Sequence, residues 1–287
     1  TLFHAPKGGI IAEQTISRIN KEHFLLMGAI GSEVKDYQWL EWHIGELNVT
    51  IENITEEWGG LLLTGPEARN VLSQCTQEDL SNNAFSWLSC KTIKIDSADV
   101  FAMRVSYAGE LGWELHMPSW QVISIYESLF EMGSPLGLKD FGGQAFNSMR
   151  LEKMYRAYGA EFTEEISALE AGMERFLDLN RDFIGADNIR ERMSSGIKTK
   201  LAYLIFDDQI PAECFGNEAV FSDGELTGII TSGAYGHRVG HSIAFAYLKT
   251  EHCNDGASLT VETSLGSRSC HVSMNASYDQ TNEKLCS

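Results

Sequence analysis

Residues 104–114 read RVSYAGELGWE, and this stretch governs how the surrounding chain folds. The segments that lead into its turn (residues 92–95 and 100–106) and out of it (residues 113–117) are strand-like runs. Between them, two glycines flank an acidic residue, a composition typical of the turn in a β-hairpin. The stretch therefore predicts two antiparallel strands joined by a glycine turn.

Three side chains of this hairpin are candidates for a binding site. Tyr107 and Glu114 lie on opposite sides of the turn, so folding the strands together is expected to bring them towards each other. Trp113, next to Glu114, is expected to offer an aromatic stacking surface beside the carboxylate. The alternative is that the acidic residues of the stretch only shape and solvate the hairpin.

The composition excludes several classes of protein. The chain has 287 residues and a formal net charge of −18, so its surface repels phosphate backbones and nucleic acid is not expected as a partner. No run of about 18 to 20 apolar residues could span a bilayer, so membrane insertion is not expected. The six cysteines are far apart, and His237 and His241 lie in a glycine-rich turn, so no metal site is predicted.

The coarse secondary structure predicts an α+β body followed by a small β-domain. Helical spacing of apolar residues predicts a helix over residues 34–44, and alternation predicts a strand over residues 49–54. After a linker, SSG at residues 194–196, short apolar strands recur with glycine and polar turns between them. We therefore predict one domain over residues 1–195 and a C-terminal β-barrel domain over residues 196–287.

Several motifs, in order along the chain, carry a resemblance to a known family. They are KGGIIAEQTISR (residues 7–18), LTGPEARNVL (63–72), YAGELGWE (107–114), MRLEKMYRAYGAEF (149–162), LEAGMERF (169–176), DFIGADNI (182–189) and ITSGAYGHRVGHSIAFAYL (230–248). The set resembles the aminomethyltransferase fold of the glycine cleavage T-proteins, which is shared by the C-terminal halves of dimethylglycine and sarcosine dehydrogenases. The resemblance implies an α+β folate-binding fold with a small C-terminal β-barrel.

The resemblance also implies a site for tetrahydrofolate. The positions that match the family are Glu13, Gln14 and Thr15 as contacts to the folate, and Tyr107, Glu114, Leu115 and His116 around its pterin ring. The Glu114 carboxylate would accept both the ring N–H and the exocyclic amino group of the pterin. Glu13 is the candidate catalytic residue, because it would position or exchange a proton at the folate nitrogen that attacks the one-carbon unit.

Arg175 departs from the family pattern. The dehydrogenase branch has an aromatic folate contact at this position, whereas this chain has an arginine. An arginine can stack on a flat ring or pair with the glutamate tail of folate, so Arg175 is kept among the cofactor-binding candidates.

Within the family the chain is most similar to the dimethylglycine dehydrogenase branch. Residues 12–15 carry that branch's A-E-x-T, whereas the glycine cleavage enzymes have an aspartate at the position of Glu13 and an arginine at that of Phe146. In such dehydrogenases an upstream flavin domain oxidises an N-methyl amine, and the folate domain captures the carbon as 5,10-methylenetetrahydrofolate. The chain has no glycine-rich dinucleotide motif, so FAD is expected only in a separate or upstream domain that acts as a partner in cis or in trans.

The resemblance implies the mitochondrial matrix, or the cytoplasm if the source is bacterial. Because it begins at the glycine-pair strand of residues 7–18, the first strands and helix of the fold are expected either to precede Thr1 in a longer chain or to be missing from a divergent or truncated form. Two other interpretations stay open. One is a catalytically degenerate member kept as an assembly or regulatory subunit, and the other is demethylation of a sulfonium or aromatic ether on the same fold.

Overall fold

A computed structural model describes all 287 residues, which form 14 strands and five α-helices. In chain order these are β1 (Leu2–His4), β2 (Ile10–Glu13), β3 (Thr15–Arg18), β4 (Phe24–Met27), α1 (Glu33–Ile44), β5 (Trp58–Thr64), α2 (Ala68–Cys75), β6 (Cys90–Ile95), β7 (Ala98–Met103), β8 (Gly112–Pro118), α3 (Val122–Gly133), α4 (Gly143–Glu152), α5 (Ala186–Ser195), β9 (Thr199–Phe206), β10 (Ala219–Ser222), β11 (Glu225–Gly236), β12 (His241–Lys249), β13 (Ser258–Thr263) and β14 (Gly266–Ser273).

The chain forms two compact units that are interleaved in sequence. Unit 1 consists of Thr1–Ile16, Leu26–Trp39 and Asn147–Tyr278, and unit 2 consists of Ser17–Leu25, Leu40–Phe146 and Asp279–Ser287. The domain boundary predicted after residue 195 falls between α5 and β9, and both of these elements belong to unit 1.

Unit 1 contains the predicted C-terminal β-barrel, which is confirmed. Six antiparallel strands close in the order β10-β11-β12-β9-β14-β13. Side chains alternate between the two faces of each strand, so Leu204 lies in the barrel core while its neighbour Tyr203 points to the other face. That outer face is also apolar, because Tyr203 and Phe245 pack against Leu151 of α4.

Unit 2 is built on a four-stranded antiparallel sheet in the order β5-β8-β7-β6. One face of the sheet packs against α2 and α3 and forms the core of the unit, to which β8 contributes Trp113, Leu115 and Met117. The alternation that buries these three residues turns Glu114 and His116 to the opposite face. The α+β class is therefore confirmed, and β8 places a polar pair, Glu114 and His116, on the non-core side of the sheet.

The local predictions hold where neighbouring residues suffice to specify the structure. The hairpin is confirmed, since β7 and β8 pair with Phe101 opposite His116 and Met103 opposite Glu114. The predicted helix over residues 34–44 is α1. The strand predicted over residues 49–54 is wrong, because this segment is mostly exposed and pairs with no other strand. Alternation without a partner strand to complete its hydrogen bonds does not produce a β-strand.

Candidate functional site

Glu114 and His116 form a polar pair on the non-core face of unit 2. Both side chains are partly exposed, with 33% of Glu114 and 20% of His116 accessible, and the Glu114 Oε2 to His116 Nε2 distance is 3.4 Å. The Nε2 atom is buried and has no hydrogen-bond partner. The partly exposed carboxylate of Glu114 is therefore the acceptor of this pair that a polar ligand can reach.

Gly60 of β5 makes room for this pair. It lies opposite His116 in the sheet, and a Cβ at this position would come within 3.2 Å of His116 Nδ1. The glycine therefore allows the imidazole to approach the neighbouring strand closely. A glycine inside an apolar strand is a recognised sign of such a close approach, and it is the signal that would have pointed to this residue in the sequence.

The neighbours of Glu114 along β8 do not share its face. Trp113 is fully buried in the core, where its ring lies 6.2 Å from that of Phe85, so the expectation that it stacks on a ligand beside Glu114 is wrong. Adjacent residues of a strand point to opposite faces, so Trp113 cannot share the face of Glu114. Leu115 is likewise fully buried in the core, so its side chain does not line the face that carries Glu114 and His116.

Tyr107 lies in the turn between β7 and β8, where φ of Gly109 is +73°, a value that favours glycine. Its half-buried ring packs against Phe146, with 5.5 Å between the ring centroids, and Phe146 lies 6.2 Å from Phe141. These rings form an aromatic cluster within unit 2. Phe141 and Phe146 also line a cleft of about 420 Å³ that runs along the edge strand β5.

The cleft has an apolar wall and an open strand edge. Its lining includes Leu61 and Leu63 of β5, Tyr126 of α3 and the glycines of residues 142–143. The hydroxyl of Tyr126 donates to Asp140 Oδ2 at 2.9 Å, which ties α3 to the segment before α4. Sequence reasoning did not identify this cleft, because its residues are distant in sequence and share no motif.

In unit 1, Glu13 and Thr15 are exposed and Gln14 between them is buried. The Glu13 carboxylate reaches the surface, yet the surrounding protein removes enough water to raise its pKa. A raised pKa makes a carboxyl group a better proton donor and acceptor near neutral pH. Gln14 is instead engaged in a buried hydrogen bond with Asp36.

Arg175 lies in a short 3-10 turn of unit 1, at residues Glu174–Phe176. It is exposed, and its guanidinium carbon lies 4.6 Å from the centre of the Phe176 ring. Phe176 is itself 59% exposed, so the arginine does not replace all the aromatic surface at this point of the chain.

Of the eight predicted site residues, Glu13, Gln14, Thr15 and Arg175 belong to unit 1, and Tyr107, Glu114, Leu115 and His116 belong to unit 2. No group of three or more histidine, cysteine, aspartate or glutamate side chains is arranged to hold a metal ion. No helix combines the length and apolar character needed to cross a membrane.

Comparison with protein families covers most of the chain. A model of the GCVT N-terminal domain matches residues 1–181, and a model of the glycine cleavage T-protein C-terminal barrel domain matches residues 200–279. The chain therefore belongs to the glycine cleavage T-protein family. Its fold is similar to that of the glycine cleavage system aminomethyltransferase T from Bartonella henselae, with a TM-score of 0.84, 20% identity, and coverage of 97% of this chain and 75% of that one.

Two curated relatives represent two branches of the family. The chain is 39% identical over 262 residues to human mitochondrial dimethylglycine dehydrogenase, a match that covers 90% of this chain and 30% of the human protein. It is 30% identical over 256 residues to an aminomethyltransferase of Thermoanaerobacter pseudethanolicus, covering 88% of this chain and 68% of that enzyme. The chain thus spans about a third of the dehydrogenase to which it is similar.

Proposed function

We propose that this chain is a tetrahydrofolate-dependent one-carbon transfer domain. It accepts the carbon released by oxidative demethylation of dimethylglycine or sarcosine and forms 5,10-methylenetetrahydrofolate. The flavin that carries out the oxidation belongs to another domain or subunit. The observation that carries this proposal is the Glu114 carboxylate, half-buried beside the unsatisfied Nε2 of His116 on the polar face of β8.

The residues present fit a reduced pterin. A pterin presents an N–H and an amino group side by side, and a single carboxylate such as that of Glu114 accepts both. The imidazole of His116 lies beside that carboxylate, with 3.4 Å between Nε2 and Oε2, and helps to fix its direction. The aromatic cluster of Tyr107 and Phe146 provides flat apolar surface for a ring system.

Each proposed residue has a distinct role. Glu114 and His116 hold and orient the ring edge, and Tyr107 supports its face. By the family resemblance, Glu13 and Thr15 are also proposed folate contacts, and the raised pKa of Glu13 suits a group that holds or moves a proton at the nitrogen that reacts. Tetrahydrofolate, when bound, supplies the two nitrogens that take up the one-carbon unit.

Two observations favour dimethylglycine or sarcosine, and not the aminomethyl group of glycine cleavage, as the source of the one-carbon unit. The identity to dimethylglycine dehydrogenase, 39%, exceeds the 30% identity to the aminomethyltransferase over a similar length. Phe146 packs within an aromatic cluster. By the family resemblance, this is the position at which the glycine cleavage enzymes have an arginine. The neutral ring of Phe146 cannot supply the positive charge that an arginine at this position would offer to a one-carbon donor.

The benefit of such an arrangement is proximity. Formaldehyde released into water is diluted and reacts elsewhere, whereas a folate held near the oxidation site captures the carbon in an effectively unimolecular step. The chain would therefore work together with a flavin-dependent domain, in the same polypeptide or in a partner.

The proposal is tested first by isothermal titration of the folded chain with tetrahydrofolate. We expect saturable binding with one site per chain. A folded sample that releases no heat and does not bind tetrahydrofolate would sink the proposal and would favour a degenerate assembly or regulatory subunit.

The donor is tested on the protein joined to its flavin domain, with dimethylglycine or sarcosine labelled at the methyl carbon. We expect the label to appear in 5,10-methylenetetrahydrofolate. Label recovered only as free formaldehyde, with folate bound, would reject these donors while leaving folate binding intact.

A further inference from the structure

We infer that Gln14 is a positioning residue, whose amide fixes the junction of β2 and β3 to α1 through Asp36 and so presents Glu13 to the folate. The family resemblance places Gln14 among direct folate contacts, and the geometry points to a different role for its side chain. The inference rests on the proposed function for the identity of the ligand, while its structural argument lies entirely within unit 1.

The side chains at the junction of β2 and β3 alternate in direction. β2 ends at Glu13 and β3 begins at Thr15, so Gln14 is the single residue between the two strands. Glu13 and Thr15 are exposed, whereas Gln14 is only 5% exposed. In extended backbone, alternate side chains point to opposite sides, so the Gln14 amide lies on the side away from Glu13 and Thr15.

The side-chain amide of Gln14 makes a buried hydrogen bond to α1. Gln14 Nε2 donates to Asp36 Oδ2 at 2.7 Å, and the hydroxyl of Ser32 lies 2.8 Å from the same oxygen. Asp36 stands in the first turn of α1 and is 6% exposed. A hydrogen bond to an ionised acceptor is shorter and stronger than a neutral one, so this contact ties the strand junction firmly to the helix.

Gly28 leaves room for the side-chain amide of Gln14. A Cβ at Gly28, just beyond β4, would come within 2.2 Å of Gln14 Nε2 and 2.8 Å of its Cδ. Any larger residue at this position would displace the amide. Because the carboxylate of Asp36 only accepts, the NH₂ end of the amide must face it, and the orientation of Gln14 is fixed.

The carboxylate of Asp36 depends on the hydrogen bond that Gln14 donates. Its other oxygen, Oδ1, is buried without a hydrogen-bond partner, so the two donors at Oδ2 provide the hydrogen bonds that compensate the buried charge. Loss of the Gln14 donor leaves the hydroxyl of Ser32 alone at a buried carboxylate. The junction would then relax, and the side chain of Glu13, the next residue along the chain, would lose its fixed direction.

The experiment is a double-mutant cycle on the affinity for tetrahydrofolate, using the wild-type chain, Gln14→Leu, Glu13→Ala and the double variant. We expect Gln14→Leu to weaken binding about fivefold to tenfold in the wild-type background and less than about twofold in the Glu13→Ala background. Gln77→Leu, the same change at an exposed position of unit 2, is the matched control and should bind as the wild type does.

Two outcomes overturn the inference. An equal loss of affinity in both backgrounds identifies Gln14 as a direct contact or as a general stabiliser, and no loss in either background removes its role. If Gln14→Leu does not fold, Asp36→Asn replaces it in the same cycle, because asparagine keeps the shape and a weaker, neutral acceptor.

A second readout separates this inference from the proposed function. Titration of the Glu13 carboxyl carbon by NMR needs no ligand, and Gln14→Leu is expected to move the pKa of Glu13 from its raised value towards that of an ordinary glutamate. If the wild-type chain binds no folate but Gln14→Leu still moves the pKa of Glu13, the proposed function is rejected and the positioning role is kept. An unchanged Glu13 titration in the folded variant rejects the positioning role.

Discussion

Glu161 of unit 1 offers a demanding test of how the buried polar groups hold the fold. Its carboxylate is fully buried and accepts hydrogen bonds from Arg150 Nη1 at 2.8 Å, Ala157 N at 2.8 Å, Thr231 Oγ1 at 2.7 Å and Ser232 Oγ. Arg150 is itself only 4% accessible at its side chain. The network joins α4, the loop that follows it and strand β11 of the barrel, and all of these residues lie in unit 1.

The magnitude follows from what Glu161→Gln leaves behind. The substitution keeps the shape of the side chain but removes the charge that compensates the buried guanidinium. Breaking a buried ion pair on one side costs about 3–5 kcal/mol, because the remaining charge stays desolvated. In a domain of this size each kcal/mol lowers the melting temperature by about 2–4 °C, so the expected decrease is about 6–20 °C.

The assay is thermal unfolding followed by calorimetry, with urea unfolding as an independent measure of the free energy. Glu164→Gln is the matched control, since its side chain is 59% accessible and its partner Lys35 lies 4.0 Å away. That exposed pair is worth less than about 1 kcal/mol. A loss of under about 1 kcal/mol in Glu161→Gln, equal to the control, would refute the reasoning.

Three further predictions follow from other parts of the chain. Gly60→Ala places a methyl group 3.2 Å from the His116 ring. Calorimetric titration should therefore show tetrahydrofolate binding weakened about tenfold, or by about 1.4 kcal/mol, with no decrease in the melting temperature. Unchanged affinity would contradict the assignment of the site. Burial raises the pKa of the Cys214 thiol to about 12. Mass spectrometry should therefore find this thiol unmodified by iodoacetamide at pH 8 in the native protein and modified in urea. Rapid labelling of the native protein would show that the site opens. Hydrogen bonds from Arg268 hold the pKa of Asp208 below its ordinary value, so this pair stabilises the barrel above about pH 4 and its contribution is lost as the pH falls through the lowered pKa. Asp208→Asn should therefore lose less stability than the wild type over that acid range in urea titrations, and parallel curves would argue against the pair.

The parts of the fold that the sequence predicts well are those that neighbouring residues specify. The glycine turn within residues 104–114 is confirmed as the β7–β8 hairpin, and the regular spacing of apolar strands beyond residue 196 is confirmed as a closed barrel. The segment of residues 49–54 shows the limit of such patterns. It alternates as a strand does, but strand formation needs a partner, and the position of a partner depends on the whole fold.

The candidate site divides in the same way. Glu114 was predicted from its motif, whereas the burial of Trp113 follows from the strand period, which a motif does not express. The contact of Gln14 with Asp36 joins residues 22 positions apart on different elements, and no local pattern announces it. The cleft beside β5 depends on Phe141, between α3 and α4, and on Phe146 of α4, and the positions of both follow from the path of the chain in three dimensions.

The central claim is that the carboxylate of Glu114 holds a reduced pterin, and the dissociation constant for tetrahydrofolate of Glu114→Gln measures it most directly. The glutamine keeps the size of the side chain but presents a single oxygen where two were available, so binding should weaken by about 1–3 kcal/mol. Glu127→Gln, an exposed position on α3 of the same unit, should bind as the wild type does. Equal affinity in the wild type, Glu114→Gln and Glu127→Gln would contradict the account.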